Sequence, residues 1–583
     1  MKKVIFTVNC LFVSILLSSQ IFYSNVASQV GVNHTYNGGI GGGGVSFCDF
    51  DNDGWDDITL ATEEGREIYF YKNENGSFQK LAPLVSLQGE AKQVLWVDFD
   101  NDGDKDFYVA IYNGTNRLYE NKGGLTFLDI TESAGLPNDE EKSFGACWGD
   151  FDRDGWLDLY YGERKPPFTE NRLFHNNADG TFTEVTTSSG AEDPGKTPFC
   201  SSFFDFNNDK WPDLYTANDK NTLNTLLVNN HDGTFTDIGE SANANLEMNA
   251  MCVAIGDYNN NGWQDVYVTN TPEGNALLQN NGDGTFTETA ASAGVGFYGI
   301  GWGSNFLDAD NDLDLDLYVS GLPLGVGSKF SQFYENDGTG IFQELNTSFA
   351  GDTVKSFNNA IGDFNHDGYP DIIVLNEAPG NAKLWENGGG NNNWLKIELE
   401  GVLSNRDAIG SKIEVFAGGA YQMRYIHCGI GFLGQNSGTE IIGLKDHVMA
   451  DSIVVTWPTG HIDRLYEVAK SQTIHLIEGT TTNGEIFVDS DVELVIVNTN
   501  EAIHPDVEIN IFPNPSVSVL NLHLSKLGFS KAIILNAKGE SIFSKRIETM
   551  ETQLDVSHLP KGIYFLAVVD EKGRRVVKKW IRS

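Results

Sequence analysis

The amino-acid sequence predicts an all-β chain whose larger part is a seven-bladed β-propeller, followed by further, smaller β-rich domains. Three observations predict it. A nine-residue acidic loop recurs seven times between Asp49 and Asp371, at intervals of 49 to 55 residues, and a period near 50 marks an array of supersecondary units. Each loop leads into a β-branched or aromatic run, such as Asp106-Phe-Tyr-Val or Asp265-Val-Tyr-Val, which reads as a strand. Each repeat then carries a second turn between apolar flanks, as in Leu277-Leu-Gln-Asn-Asn-Gly-Asp-Gly-Thr-Phe, and a turn so placed marks a hairpin. Two hairpins per repeat make the four strands of one blade.

Taken in order, residues 1–28 read as an export signal. Lys2 and Lys3 precede an apolar run from Val4 to Leu17, and small residues follow around Ala27 and Ser28. The run is shorter than the roughly 20 apolar residues that span a bilayer. No later segment could cross one, so the mature protein is expected to have no transmembrane segment. Of the six cysteines, Cys10 would leave with the signal, and an odd remainder does not suggest a disulfide framework. Cys48, Cys147, Cys200 and Cys252 sit at odd offsets before their loops, on one face of an extended strand, as small core residues would. Against 39 Lys and Arg stand 81 Asp and Glu, a formal charge of −42. That surface repels phosphate backbones and anionic lipid, which argues against nucleic-acid and membrane-surface partners and for bound cations.

Residues 29–391 hold the seven repeats. In each loop, positions one, three, five and nine offer carboxylates, position seven a backbone carbonyl, and position six is Gly where the bend needs positive φ. An all-oxygen set of this kind suits calcium, which takes six to eight oxygens at about 2.3 to 2.6 Å. Loop one supplies Asp49, Asp51, Asp53, Trp55 and Asp57. Loop two supplies Asp98, Asp100, Asp102, Asp104 and Asp106, and loop three Asp150, Asp152, Asp154, Trp156 and Asp158. These three are expected to bind most tightly. Loop four (Asp205, Asn207, Asp209, Asp213) has Lys210 at the bend, and loop five (Asp257, Asn259, Asn261, Asp265) has two fewer charges. Loop six (Asp308, Asp310, Asp312, Asp316) has Leu313 at the bend, where a left-handed backbone costs about 1 to 2 kcal/mol. Loop seven (Asp363, Asn365, Asp367, Asp371) is nearly complete. Up to seven calcium ions are expected, with loops four, five and six doubtful. An EF-hand needs a Glu at position twelve and flanking helices, and neither is present. The last repeat lacks its fourth strand, which the segment from Val30 to Ile40 is expected to supply, closing the ring and removing sheet edges.

With their flanks, these loops resemble the FG-GAP or VCBS repeats of integrin α-subunits and many secreted bacterial proteins, over roughly residues 30 to 390. The resemblance implies a seven-bladed propeller with calcium in rim loops. It says little about activity.

Residues 392–479 contain Asn405-Arg-Asp-Ala-Ile-Gly410, Gly431-Phe-Leu-Gly-Gln-Asn436 and Trp457-Pro-Thr-Gly460. In that order they resemble the ASPIC/UnbV domain of the cartilage acidic protein family. Arg406 and Asp407 read as an ion pair bracing their own loop. Residues 480–506 read as a linker. The tail, 507–583, carries Ile509-Asn-Ile-Phe-Pro-Asn-Pro-Ser516 and Asp555-Val-Ser-His-Leu-Pro-Lys-Gly-Ile-Tyr-Phe565 and ends on a basic strand. It is similar to the C-terminal sorting domain of the type IX secretion system. That implies a Gram-negative bacterium, contact with the secretion machinery, a small sandwich, and release to or attachment at the cell surface.

No His-Glu-x-x-His, Gly-x-Ser-x-Gly or P-loop occurs. The run Gly39-Ile-Gly41-Gly-Gly-Gly44 matches a dinucleotide fingerprint only formally, since no helix opens there to receive a pyrophosphate. His366, inside loop seven, is expected to face solvent. The function expected is binding or adhesion to a glycan or protein ligand; a polysaccharide-active enzyme and an architectural surface role are the alternatives. For an enzyme, the cationic insertion Glu163-Arg-Lys165-Pro-Pro-Phe168 would be the place to look.

Overall fold

The computed structural model describes residues 21–39, 41–164, 170–324, 329–345, 349, 352–481 and, farther on, 509–512, 519–524, 529–535, 541–547, 549–557, 559, 562–570 and 575–582. Residues 1–20 of the expected export signal, residues 482–506 of the linker and residues 165–169 of the cationic insertion lie outside them. The described chain is all-β. Its helices, Thr186–Ser189 and Ala290–Ala293, are single turns in connections. No helix among the described residues is long and apolar enough to cross a membrane.

Residues 23–387 form seven four-stranded antiparallel units, two of them joined where Glu141 and Lys142 pair with Gly114 and Tyr112. In unit one, Val45–Cys48 and Asp57–Leu60 flank the acidic loop, with Cys48 opposite Asp57. The Asp-Gly signal also forms its hairpin: Ala276–Asn280 pairs with Phe286–Glu288. The first strand of each unit is almost wholly buried, polar residues such as Lys92 and Gln93 included. All five described cysteines are buried and unpaired by disulfides.

Unit seven takes its fourth strand from the N-terminus, but not from the expected segment. Tyr23–Asn25 runs antiparallel to Lys383–Asn387, with Tyr23 opposite Asn387. Tyr23 is buried, stacks on Phe349 at 4.6 Å and donates its hydroxyl proton to the Pro370 carbonyl at 3.0 Å. Ile21, Val26 and Ala27 are buried as well. The export signal expected over residues 1–28 would include this strand. Within the expected segment, residues 30–39 instead bridge units seven and one. Tyr36 pairs with Glu377, and Phe78 donates its N–H to the Val30 carbonyl at 2.6 Å. Within the glycine run, Lys92 donates to the Gly42 carbonyl at 2.8 Å.

The second domain has two sheets. One orders Glu440–Lys445, Asn393–Glu400 and Thr473–Ile477; the other orders Ala420–Tyr425, Lys412–Ala417, Met449–Thr456 and Ile462–Ala469. Leu395, Ile413, Val455 and Trp457 lie in its core, which is continuous with Leu95 and Trp148 of units two and three. From this domain the segment His427 to Ser437 threads past the first strand of every unit. Gly434 and Gln435 pair in parallel with Val45 and Ser46 of unit one. The Gln435 amide accepts from the Trp96 N–H and donates to the Trp96 carbonyl of unit two, each at 2.8 Å. Trp148 of unit three donates to the Cys428 carbonyl at 3.0 Å, Ser202 of unit four to that of Gly429 at 3.1 Å, and Gly431 to that of Val253 in unit five at 2.8 Å. Asn436 reaches Asn305 of unit six and accepts from Ile361 of unit seven, both at 3.0 Å. Gly429 is required here: its φ is +89°, and a Cβ would lie 2.4 Å from the Ala146 carbonyl oxygen.

In the C-terminal region, Ile509–Phe512, Val519–Leu524 and Glu551–Asp555 form one sheet, and four strands between Phe529 and Arg582 form another. Leu520, Leu522, Ala532, Ile534, Leu566 and Val568, from both sheets, share one buried cluster.

Candidate metal centres

Each acidic loop folds around its position-one aspartate. One carboxylate oxygen of Asp49 accepts the Asp53 N–H at 3.0 Å and the other the Gly54 N–H at 2.7 Å. The same pair recurs at Asp98, Asp150, Asp205, Asp257, Asp308 and Asp363. Lys210 and Leu313 take the bend at φ of +74° and +89°, so neither substitution breaks its loop.

The position-nine aspartate ties the loop to the third strand. Asp57 accepts the Asn73 N–H at 2.7 Å, and the corresponding bonds run from Asn121, Asn176, Asn229, Asn280, Asn336 and Asn387. Six of these asparagine amides also reach a neighbouring unit. Asn73 donates to the Phe364 carbonyl at 2.9 Å, joining unit one to unit seven, and Asn176, Asn229, Asn280, Asn336 and Asn387 do the same one unit along.

Position four, which carries no ligand, links one loop to the next. It is Asn52, Asn101, Arg153, Asn208, Asn260, Asn311 and His366, all at φ between +54° and +61°, a region that asparagine tolerates. The five asparagines donate to the position-six carbonyl of the following loop at 2.8 to 3.1 Å. Arg153 lies over the Trp211 ring at 5.1 Å. His366 stacks on Trp55 with ring centroids 3.8 Å apart, which corrects its expected solvent-facing placement. Burial pushes its imidazole down to about 4. Neither the third-strand asparagines nor position four entered the sequence reading, although both recur at nearly fixed offsets and could have been found there.

The structure brings carboxylate oxygens within 4.8 Å of one another in four loops: Asp49, Asp51 and Asp53; Asp98, Asp100 and Asp106; Asp150, Asp152 and Asp154; and Asp308, Asp310 and Asp312. His175 joins Asp152 and Asp158 in a further set. Loop six, doubtful by its Leu313, is therefore among the assembled sites. Among the described residues no such trio forms in loops four, five and seven, where Asn207, Asn259, Asn261 and Asn365 replace acids. Asn207 and Asn365 instead donate to Asp209 and Asp367, at 2.8 and 3.2 Å.

Burial pushes the carboxyls of Asp49 up to about 7, Asp57, Asp98 and Asp308 to about 8, and Asp106 to about 9. For Asp98, the nearby Asp407 adds to the effect. Asp51 Oδ1 and Asp106 Oδ2 are buried without a hydrogen-bond partner. Clustered, desolvated carboxylates with such oxygens fit a hard divalent cation, whose charge would hold them ionised and whose shell would use the orphaned atoms.

The second domain sits directly on this face and touches all seven loops. Ser437 donates to Asp56 at 2.7 Å, and Arg406 donates its N–H to Asn101 at 2.8 Å. Arg153 donates to the Pro458 carbonyl, Lys412 to Asn208 at 3.4 Å, and Lys445 its N–H to the Asn311 carbonyl at 2.9 Å. A Cβ on Gly262 would lie 3.4 Å from the Tyr421 hydroxyl, and Lys396 pairs with Asp363 at 3.0 Å. Arg406 and Asp407 do not pair with each other, as the sequence suggested. Arg406 binds Glu400 at 2.9 Å, whereas Asp407 accepts the Asp98 N–H at 2.8 Å and pairs with Lys105. Both residues brace loop two across the domain boundary.

Comparison with known proteins agrees with this division. The FG-GAP-like repeat model matches residues 49–109, 98–161, 166–216, 205–268 and 257–319; the ASPIC and UnbV model matches 401–483; and the secretion system C-terminal sorting domain model matches 510–583. A tail of the last kind implies a secreted or cell-surface protein. The chain is 24% identical to cartilage acidic protein 1 of Homo sapiens over 456 residues, 72% of this chain and 60% of that protein. With the Xenopus tropicalis protein it is 23% identical, over 63% of this chain and 70% of that one. It therefore spans about three fifths of the human relative's length. Among solved structures it is similar to PorZ, a surface component of the type-IX secretion system of Porphyromonas gingivalis, at 11% identity over 93% of this chain and 81% of that one, with a TM-score of 0.24. The exotype rhamnogalacturonan lyase YesX gives 12% identity over 63% and 75%, with a TM-score of 0.36.

Proposed function

We propose that this chain is a secreted surface-binding protein: a seven-bladed propeller whose calcium loops anchor a plugging second domain, with a C-terminal sandwich that serves export through the type IX machinery of a Gram-negative bacterium. The observation that carries this reading is the contact of the second domain with every acidic loop. A metal there would lie beside the second domain, and we read it as a structural staple. The loops bring carboxylates together, and the second domain answers them with Lys396, Lys412, Lys445 and Arg406. Closure of the ring is supported by the bond from Asn73 to Phe364 and by the N-terminal strand in unit seven.

Ligands then fall to the opposite face, where the second strands end, that of unit three at Glu163. That face is the surface we assign to a glycan or protein ligand. A glycan and protein array run with and without calcium, with product analysis of every hit, tests the assignment. Calcium-dependent binding without turnover is the expected result; turnover would replace it with an enzymatic role, and silence with an architectural one.

A further inference from the structure

The third strand of each unit delivers one more side chain to the acidic loop. The residue before the capping asparagine is Lys72, Glu120, His175, Val228, Gln279, Glu335 and Glu386 in turn. Its position is fixed because the asparagine N–H is bonded to the position-nine carboxylate in every unit. Its reach into the loop is seen directly in units one, three and seven. His175 Nδ1 lies 3.2 Å from Asp158 and 3.4 Å from Asp152, and the Glu386 carboxylate lies 3.3 Å from the Asn365 amide. In loop one the side chain is an ammonium. Lys72 hydrogen-bonds Asp51 and reaches Asp53 at 2.8 Å. These are the position-three and position-five ligands of a loop that, by its own nine residues, is as complete as any.

We infer that Lys72 supplies loop one with a built-in cation, so that this loop takes no calcium from solution, whereas Glu120, Glu335 and Glu386 add a carboxylate to loops two, six and seven. The inference rests on the calcium reading of the other loops. A divalent ion and an ammonium cannot share the same pair of carboxylates: like charges a few ångströms apart repel in a partly desolvated site. Calcium could enter loop one only by ejecting Lys72 from two ion pairs. The residue that selects among the loops thus lies outside the nine-residue motif, 15 positions beyond its last aspartate.

The test is a count of bound calcium on the full mature chain, by equilibrium dialysis at millimolar free calcium, for the wild type, Lys72→Gln and Lys72→Gln with Asp51→Asn. The expected result is one additional ion on Lys72→Gln, lost again in the double variant. Melting in chelator gives a second readout. Lys72→Gln should melt below the wild type in chelator and regain the difference in calcium. Equal, non-zero counts for wild type and Lys72→Gln would overturn the inference and leave the calcium reading intact. Should the wild type bind no calcium at all, that broader reading fails, and Lys72 is judged by melting: a Lys72→Gln chain that melts with the wild type in chelator overturns its role too.

Discussion

A position-one aspartate in this chain has its lone pairs divided between two tasks. It receives two backbone N–H groups, which shape the loop, and keeps its remaining capacity for a cation. The same residue types therefore serve turn geometry and the proposed metal binding, and positions one, three, five and nine stand out in the sequence for that reason. What was not legible depends on residues outside the motif. Nothing in the nine letters of loop one announces Lys72, and Leu313 looked disabling because its backbone cost was visible while the support around it was not. The residue scale also sets a pH dependence. Burial raises Asp49, Asp57, Asp98 and Asp308 to about 7 or 8, against about 3.9 unfolded. A folded pKa above the unfolded value contributes stability that is complete below about 4 and is lost as pH rises through 7 to 8. In chelator the melting temperature should therefore fall between pH 5 and pH 8. In millimolar calcium the trend should flatten or reverse, because protons and calcium compete for the same oxygens. A chelated protein that gains melting temperature over that window would contradict the assignment.

At the scale of elements, strand periodicity and Asp-Gly turns made the four-stranded units readable, but the closing strand was missed. Tyr23-Ser-Asn25 is three residues long, has no turn signal of its own, and lies where small and apolar residues also resemble an export signal. Its identity comes from long-range contacts: Asn387 donates to the Tyr23 hydroxyl at 3.1 Å, and that hydroxyl donates to Pro370. Replacing Tyr23 with Ala should cost about 3 to 5 kcal/mol, the range for removing a large buried aromatic side chain, measurable by denaturant unfolding. A loss below about 1 kcal/mol would mean that the strand does not close unit seven. The same scale explains the position-four asparagines. Each looks like turn chemistry in isolation, and only the neighbouring unit gives its amide a partner.

Across the whole molecule, the sequence pattern separates repeats, second domain and tail, but gives no sign that the second domain lies on the acidic loops or threads a segment past all seven first strands. Those contacts join residues hundreds of positions apart, such as Trp96 with Gln435, and no local pattern encodes them. They underlie the proposed reading, in which the loops hold cations, the cation-bearing loops form a platform, and the platform seats the domain that fills the centre. Extracellular calcium modules bind with dissociation constants of about 0.1 to 1 mM, and a tenfold excess over that constant adds roughly 1.4 kcal/mol per site. Three or four occupied loops would then contribute about 4 to 6 kcal/mol, a sizeable share of the 5 to 15 kcal/mol typical of folded proteins. The most direct test of the central claim is the melting temperature of the mature chain in millimolar calcium and again in excess chelator. The account predicts a fall of about 5 °C or more on chelation, restored by adding calcium back; a melting temperature unmoved by chelation would contradict it.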